Sequence, residues 1–203
     1  MPAIDLESAA REVVRLLDGV TEDRMDDPTP CAGTSVAGLL DHVMGLTLAF
    51  TWAARKSVPD GDGPRPGIGT ARLDPHWRAL LPRRLDDLVA AWRDPAAWEG
   101  TTEAGGVRLP AEQMAVVALD ELVLHGWDLA RATGQSFACS PADTEAVLAF
   151  TTAAARPEQA AGREGPRRST ARSASPDATP RGRRNRREAA PPVSRVGEAG
   201  VQG

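Results

Sequence analysis

Glu121 and His125 stand four residues apart in the stretch DELVLHGWDLARATG, Asp128 follows three residues later, and a second histidine, His42, lies in LLDHVMG. On a helix turning about 100° per residue, Glu121 and His125 point within about 40° of one another, on the line continuing from Met114 and Ala118, and Asp128 lies near the same edge. A carboxylate and an imidazole buried together cost free energy unless something pairs with them, and a divalent cation is one such partner. His42 sits about 80° off the centre of the apolar stripe of its own helix, facing sideways into a groove between helices, while Asp41 faces away. His42, Glu121 and His125 then make a two-histidine, one-carboxylate set, the kind that holds Zn²⁺ or a related ion and leaves a position open for water or substrate. The same Glu-x-x-x-His spacing also arises as an i, i+4 pair that only supports a helix surface or satisfies a buried histidine. Spacing alone leaves both readings standing.

Four or five helical segments must position these groups. The first covers about Asp5 to Leu17, with Leu6, Ala10, Val13 and Leu17 as its apolar stripe, and ends near Gly19. Thr34 or Ser35 caps the second, whose Val36, Leu39, Val43, Leu46 and Phe50 make the next stripe and which runs to about Arg55. SVPDGDGPRPGIGT is rich in Gly, Pro and Asp and reads as a mobile connection before a third helix from Pro75 to Arg93, kinked or started in its main part by Pro82. Its GIGT follows no strand and precedes no phosphate-binding helix, so it is a loop and not a nucleotide site. A short hairpin around Gly105 and Gly106 is the one strand pairing suggested between Asp94 and Leu109. Pro110 suits the first turn of the fourth helix, which Gly134 closes, and Ser140 caps a fifth with Pro141 at its first position. The fourth helix carries Val116, Leu119, Leu122, Val123 and Leu124 around nearly every side, which predicts a central place in an all-α bundle, with Trp127 in the core.

The 203 residues, 41% of them apolar, suggest one domain with a sizeable core. No apolar run is expected to span a bilayer, and a charged amphipathic N-terminus in place of a signal peptide predicts a cytoplasmic protein with Cys31 and Cys139 reduced. Charge divides the chain: residues 1–155 hold 13 basic against 23 acidic side chains, while residues 156–203 hold 11 against 5. The second segment has no Ile, Leu, Met, Phe or Trp, so it is expected to be a disordered tail beyond a 1–155 bundle. Its RGRRNRRE has no stacking aromatics beside it and follows an acidic body that repels polyanions, so no nucleic-acid partner is expected. One lysine against 23 arginines fits a high-GC genome, and Arg, Ala, Gly and Pro are what such DNA yields out of frame; the tail therefore reads as a frameshifted end. Cys31 is expected to pack as a small residue, His76 to make a surface or capping contact at a helix start, and Asp128 either to orient a ligating histidine or to pair with Arg131.

The stretch PTPCAGTSVAGLLDHVMG and the later DELVLHGWDLARATGQ resemble the two signature regions of the DinB-like superfamily, in the branch holding the metal-binding N-terminal domain of mycothiol-dependent maleylpyruvate isomerase. They are similar above all to the uncharacterised stand-alone actinobacterial metal-binding proteins of that branch, over about residues 5–155. The resemblance implies a DinB/YfiT-like bundle of up to four core helices with a short C-terminal helix, and a divalent metal, usually zinc, on His42, Glu121 and His125. It also implies a low-molecular-weight thiol such as mycothiol as cosubstrate, a small electrophile as its target, and a transferase or isomerase-like reaction in a monomer or homodimer. In that reading Asp128 serves catalysis by tuning a ligand or relaying a proton. The alternatives are a noncatalytic metal- or ligand-binding helical module and a frameshifted relative of impaired activity. Thr34 stands where the family usually has Trp, and the Arg-rich end replaces a moderately apolar one.

Overall fold

The chain folds, in a computed structural model, around helices whose buried faces match the apolar stripes of the sequence. The structure describes residues 4–57 and 72–155, all within one compact unit. The GIGT loop and the Arg-rich segment, with the expectations about them, lie outside the described residues.

Helix α1 (Glu7–Leu17) buries Ala9, Ala10, Val13, Leu16 and Leu17. Helix α2 (Val36–Arg55) starts where the Ser35 hydroxyl accepts the Gly38 N–H, a cap contributing about 1 kcal/mol. Helix α3 (Trp77–Trp92) contains Pro82 in its second turn, so Pro82 neither starts nor ends the helix and its missing N–H costs one rung. Strands β1 (Thr101–Ala104) and β2 (Val107–Pro110) form an antiparallel hairpin, closed by Gly105 and Gly106 with φ of 59° and 84°, the positive values a type I′ turn demands. Helix α4 (Ala111–Thr133) follows directly; Pro110 ends β2 and precedes the helix instead of occupying its first turn, because its extended backbone still pairs with Thr101. Gly134 closes α4 at φ 69°, and α5 (Pro141–Ala154) begins with the Ser140 hydroxyl accepting the Asp143 N–H.

The main packing pairs are α2 with α3 and α4, and α1 with α4 and α3, which sets four helices around one core with α5 laid on α4. Leu16, Val36, Leu81, Leu88, Ala115 and Ala118 are wholly buried there. Arginines fasten α3 antiparallel to α1: Arg93 pairs with Asp5 and Glu7 at one end, and Arg78 donates to the carbonyls of Leu17 and Val20 at the other. Thr102 donates its hydroxyl to the Ala53 carbonyl, tying the hairpin to the end of α2.

Two further expectations need correction. By length and mean hydropathy, 1.3, α2 does meet the requirement for a membrane span, yet 67% of that window is buried among the other helices, which accounts for its apolar character. Leu124 and Trp127 are 47% and 45% exposed, because α5 covers only one side of α4 and leaves the flank carrying these two residues open.

Candidate metal centre

The middle of α4 faces the first half of α2, and this contact brings His42 against His125. The imidazole rings meet edge to face, centroids 4.9 Å apart and planes at 84°. His42, Glu121 and His125 each offer one ligand atom, all within 4.8 Å of one another, and they are the one such group among the described residues. Ligands about 2 Å from a tetrahedral zinc lie roughly 3.3 Å apart, so the set must draw in by up to about 1.5 Å to close on an ion. Glu121, whose side chain is 31% exposed, has the freedom to do so.

His125 is held at both nitrogens from its own helix. Its Nε2 lies 2.9 Å from Glu121 Oε2, one turn back, and its Nδ1 lies 3.2 Å from Asp128 Oδ2, one turn on. Asp128 thus pairs with His125 and not with Arg131. His42 is 8% exposed, and its Nδ1 is buried with no hydrogen-bond partner. Asp41 on the neighbouring position accepts the Arg72 N–H, away from the cluster.

The charges in this cluster oppose one another. Burial lowers the His42 pKa, repulsion from His125 lowers it further, and attraction by Glu121 and Asp41 offsets only part. Burial also acts downward on His125 as its largest single influence, but hydrogen bonds and attraction from Glu121 and Asp128 together outweigh it and raise the pKa. Nothing in the sequence assigns Asp120 a role, because it sits about 100° round the helix from Glu121, flanked by Val116, Val117, Val123 and Leu124 and not by another candidate ligand. Its Oδ1 is buried without a partner, and burial, then the Glu121 charge, raise its pKa against a smaller pull from His125.

The donor set fits a divalent cation. Two imidazoles and a carboxylate converge from two helices, one imidazole nitrogen is left orphaned in a buried place, and polar groups so buried are otherwise paired. Cys31 stands outside this group, Cys139 lines surface grooves beside α5, and the His76 N–H caps on the Asp74 carboxylate.

Comparison with known proteins agrees with this architecture. An uncharacterized protein of Mycobacterium tuberculosis, Rv0738 in strain H37Rv and MT0763 in strain CDC 1551, is 29% identical over 138 residues, covering 62% of this chain and 64% of that protein. The chain thus spans just under two thirds of the length of the curated relatives it matches. The crystal structure of the mycothiol-dependent maleylpyruvate isomerase shares the fold, with a TM-score of 0.52 and 19% identity over 71% of this chain and 64% of the other. The sequence profile of the mycothiol maleylpyruvate isomerase N-terminal domain matches residues 6–130, which include the first signature stretch and most of the second, with His42, Glu121 and His125, and the chain belongs to that family.

Proposed function

We propose that the protein binds one divalent metal ion, zinc by ligand type, on His42, Glu121 and His125, and uses it to present a small thiol of the mycothiol type to a small electrophile. The observation that carries this is the convergence of the three donors within 4.8 Å while the buried Nδ1 of His42 has no partner. A divalent ion held there lowers the pKa of a thiol or water in its open position, so that the nucleophile exists at neutral pH.

The chain's own residues supply the rest. His125 turns Nε2 towards Glu121 and Nδ1 towards Asp128, so a neutral imidazole protonated at Nδ1 leaves Nε2 free to ligate. Asp128 accepts that Nδ1–H, fixing tautomer and ring orientation and raising ligand basicity. It is a positioning residue in this reading. Glu121, the most exposed of the three, marks the side from which thiol and electrophile approach. A low-molecular-weight thiol cosubstrate suits a reducing compartment, which supports a cytoplasmic location.

The test is metal content by mass spectrometry after zinc loading and gel filtration, for wild type, His42→Ala and His125→Ala. About one equivalent in wild type and little in either variant is expected for a three-ligand site. A wild type that takes up neither zinc nor nickel overturns the reading. Thiol-dependent turnover of a model electrophile by the loaded protein then separates an enzyme from a noncatalytic binding module.

A further inference from the structure

A second groove, of about 740 Å³, runs between α1 and the start of α5, and shares no lining residue with the His42, Glu121 and His125 cluster. Its charged lining is four carboxylates, Asp5, Glu7, Glu12 and Asp143, against two guanidinium groups, Arg11 and Arg15. Most of that charge is internally matched. Arg11 pairs with Glu7, Arg15 with Glu12, and Arg93 with both Asp5 and Glu7.

Asp143 is the exception. It is 6% exposed, its Oδ2 is buried, and that oxygen accepts no hydrogen bond from any described residue. Its position, three residues after the Ser140 cap, is where an acidic side chain bonds back to the cap N–H; here only the Ser140 hydroxyl does its half, accepting the Asp143 N–H at 3.0 Å. The positive end of α5 favours a carboxylate at this place but leaves that oxygen with no donor. Asp143 lines the wall of a groove of ligand size, and a carboxylate there with one oxygen left without a donor calls for a ligand that brings donors and positive charge.

We propose that this groove is a second ligand site, for a small molecule carrying a primary ammonium group, with Asp143 as its counter-ion and Cys139 on its wall. Cys139, just before the cap, lines the same groove and gives a covalent reporter of what settles there. It reacts with a disulfide probe by exchange: the Cys139 thiolate attacks one probe sulfur, a new S–S bond forms, the old one breaks, and the departing thiolate takes up a proton from water.

The experiment uses the full chain with Cys31→Ser. Formation of the Cys139 mixed disulfide is followed by mass with cystamine, which carries ammonium groups, and with dithiodiglycolate, which carries carboxylates, each rate divided by that of N-acetylcysteine. A preference for cystamine of about tenfold is expected, the size of a charge-assisted hydrogen bond in a buried place. Asp143→Asn should bring the ratio near one, while Glu145→Gln, which removes an exposed charge outside the groove, should keep it. Equal rates in the parent, or equal loss in both variants, overturns the proposal, the second result meaning general charge attraction only. Should Asp143→Asn fail to fold, protection of the parent against neutral 4,4′-dithiodipyridine by ethylammonium chloride, over sodium chloride at the same ionic strength, decides it. No protection means that the groove holds water alone and the proposal fails.

Discussion

The polar groups in the middle of α4 and those just past its end are treated differently by the same fold. Past the end, nearly every donor and acceptor is matched: Glu12 takes a bidentate bond from Arg15 and the Ala138 N–H, Arg15 also reaches the Ser136 carbonyl, and Gln135 donates to the Leu16 carbonyl and the Thr133 hydroxyl. In the middle, His42 Nδ1 and Asp120 Oδ1 are buried without partners, and two carboxylates crowd one imidazole. A matched network holds the chain together, whereas an unmatched one that is more deeply buried keeps binding capacity in reserve for something else.

The largest effect expected concerns that reserve. His125→Ala should lower zinc affinity by more than about a hundredfold, beyond what losing an outer partner costs, as read by competition with a chromophoric chelator. Retained affinity would mean that the cluster is an ordinary helix-surface ion pair. Asp128→Asn, which keeps the shape but removes the acceptor charge facing His125 Nδ1, should cost about 10- to 100-fold in the same assay. An unchanged affinity would reduce Asp128 to a bystander.

At the matched end the cost should appear in stability. Glu12→Gln breaks the charge of a side chain that is only 11% exposed, and a loss of about 1 kcal/mol is expected at neutral pH in urea unfolding, discounted for the half-exposed Arg15. The Glu12 pKa is lowered, first by its hydrogen bond from Arg15, against desolvation, and then by the Ala138 N–H. A carboxylate with a depressed folded pKa contributes stability that is present above its unfolded pKa and lost as pH falls through the folded value. The gap between wild type and Glu12→Gln should therefore close on acidification below the ordinary glutamate range; a gap that persists there would show that packing, not charge, was lost.

The smallest effect sharpens the contrast most. In metal-free protein His42→Leu should leave the melting temperature unchanged or raise it by an amount worth up to about 1 kcal/mol, because it removes an orphaned polar nitrogen and fills similar volume. With excess zinc the order should reverse, since only wild type gains stability from the bound ion. A large loss in chelator would show that His42 is a structural core residue.

Much of the fold was legible along the chain. Ser35, Ser140 and Gly134 end or begin helices where capping chemistry says they should, since a cap acts within one turn. The hairpin was harder to read. Its strands are four residues long with Thr102 alone fully buried, so period-two alternation had no room to show, and only the Gly105–Gly106 turn marked it. Trp127 and Leu124 looked internal because an apolar helix face carries no label for which neighbour covers it.

By itself the sequence determined five helices, the ends of most of them, and the three residue types and spacings that suit a divalent ion, because periodicity and capping are local. Tertiary structure alone decided that His42 meets His125 across about 80 positions of chain, that His125 is held at both ring nitrogens while His42 Nδ1 has no partner, and that Asp120 and Asp143 have oxygens buried without donors. Those outcomes depend on how α2, α4 and α5 pack, and burial of a polar atom is a property of the neighbours around it rather than of the residue that carries it.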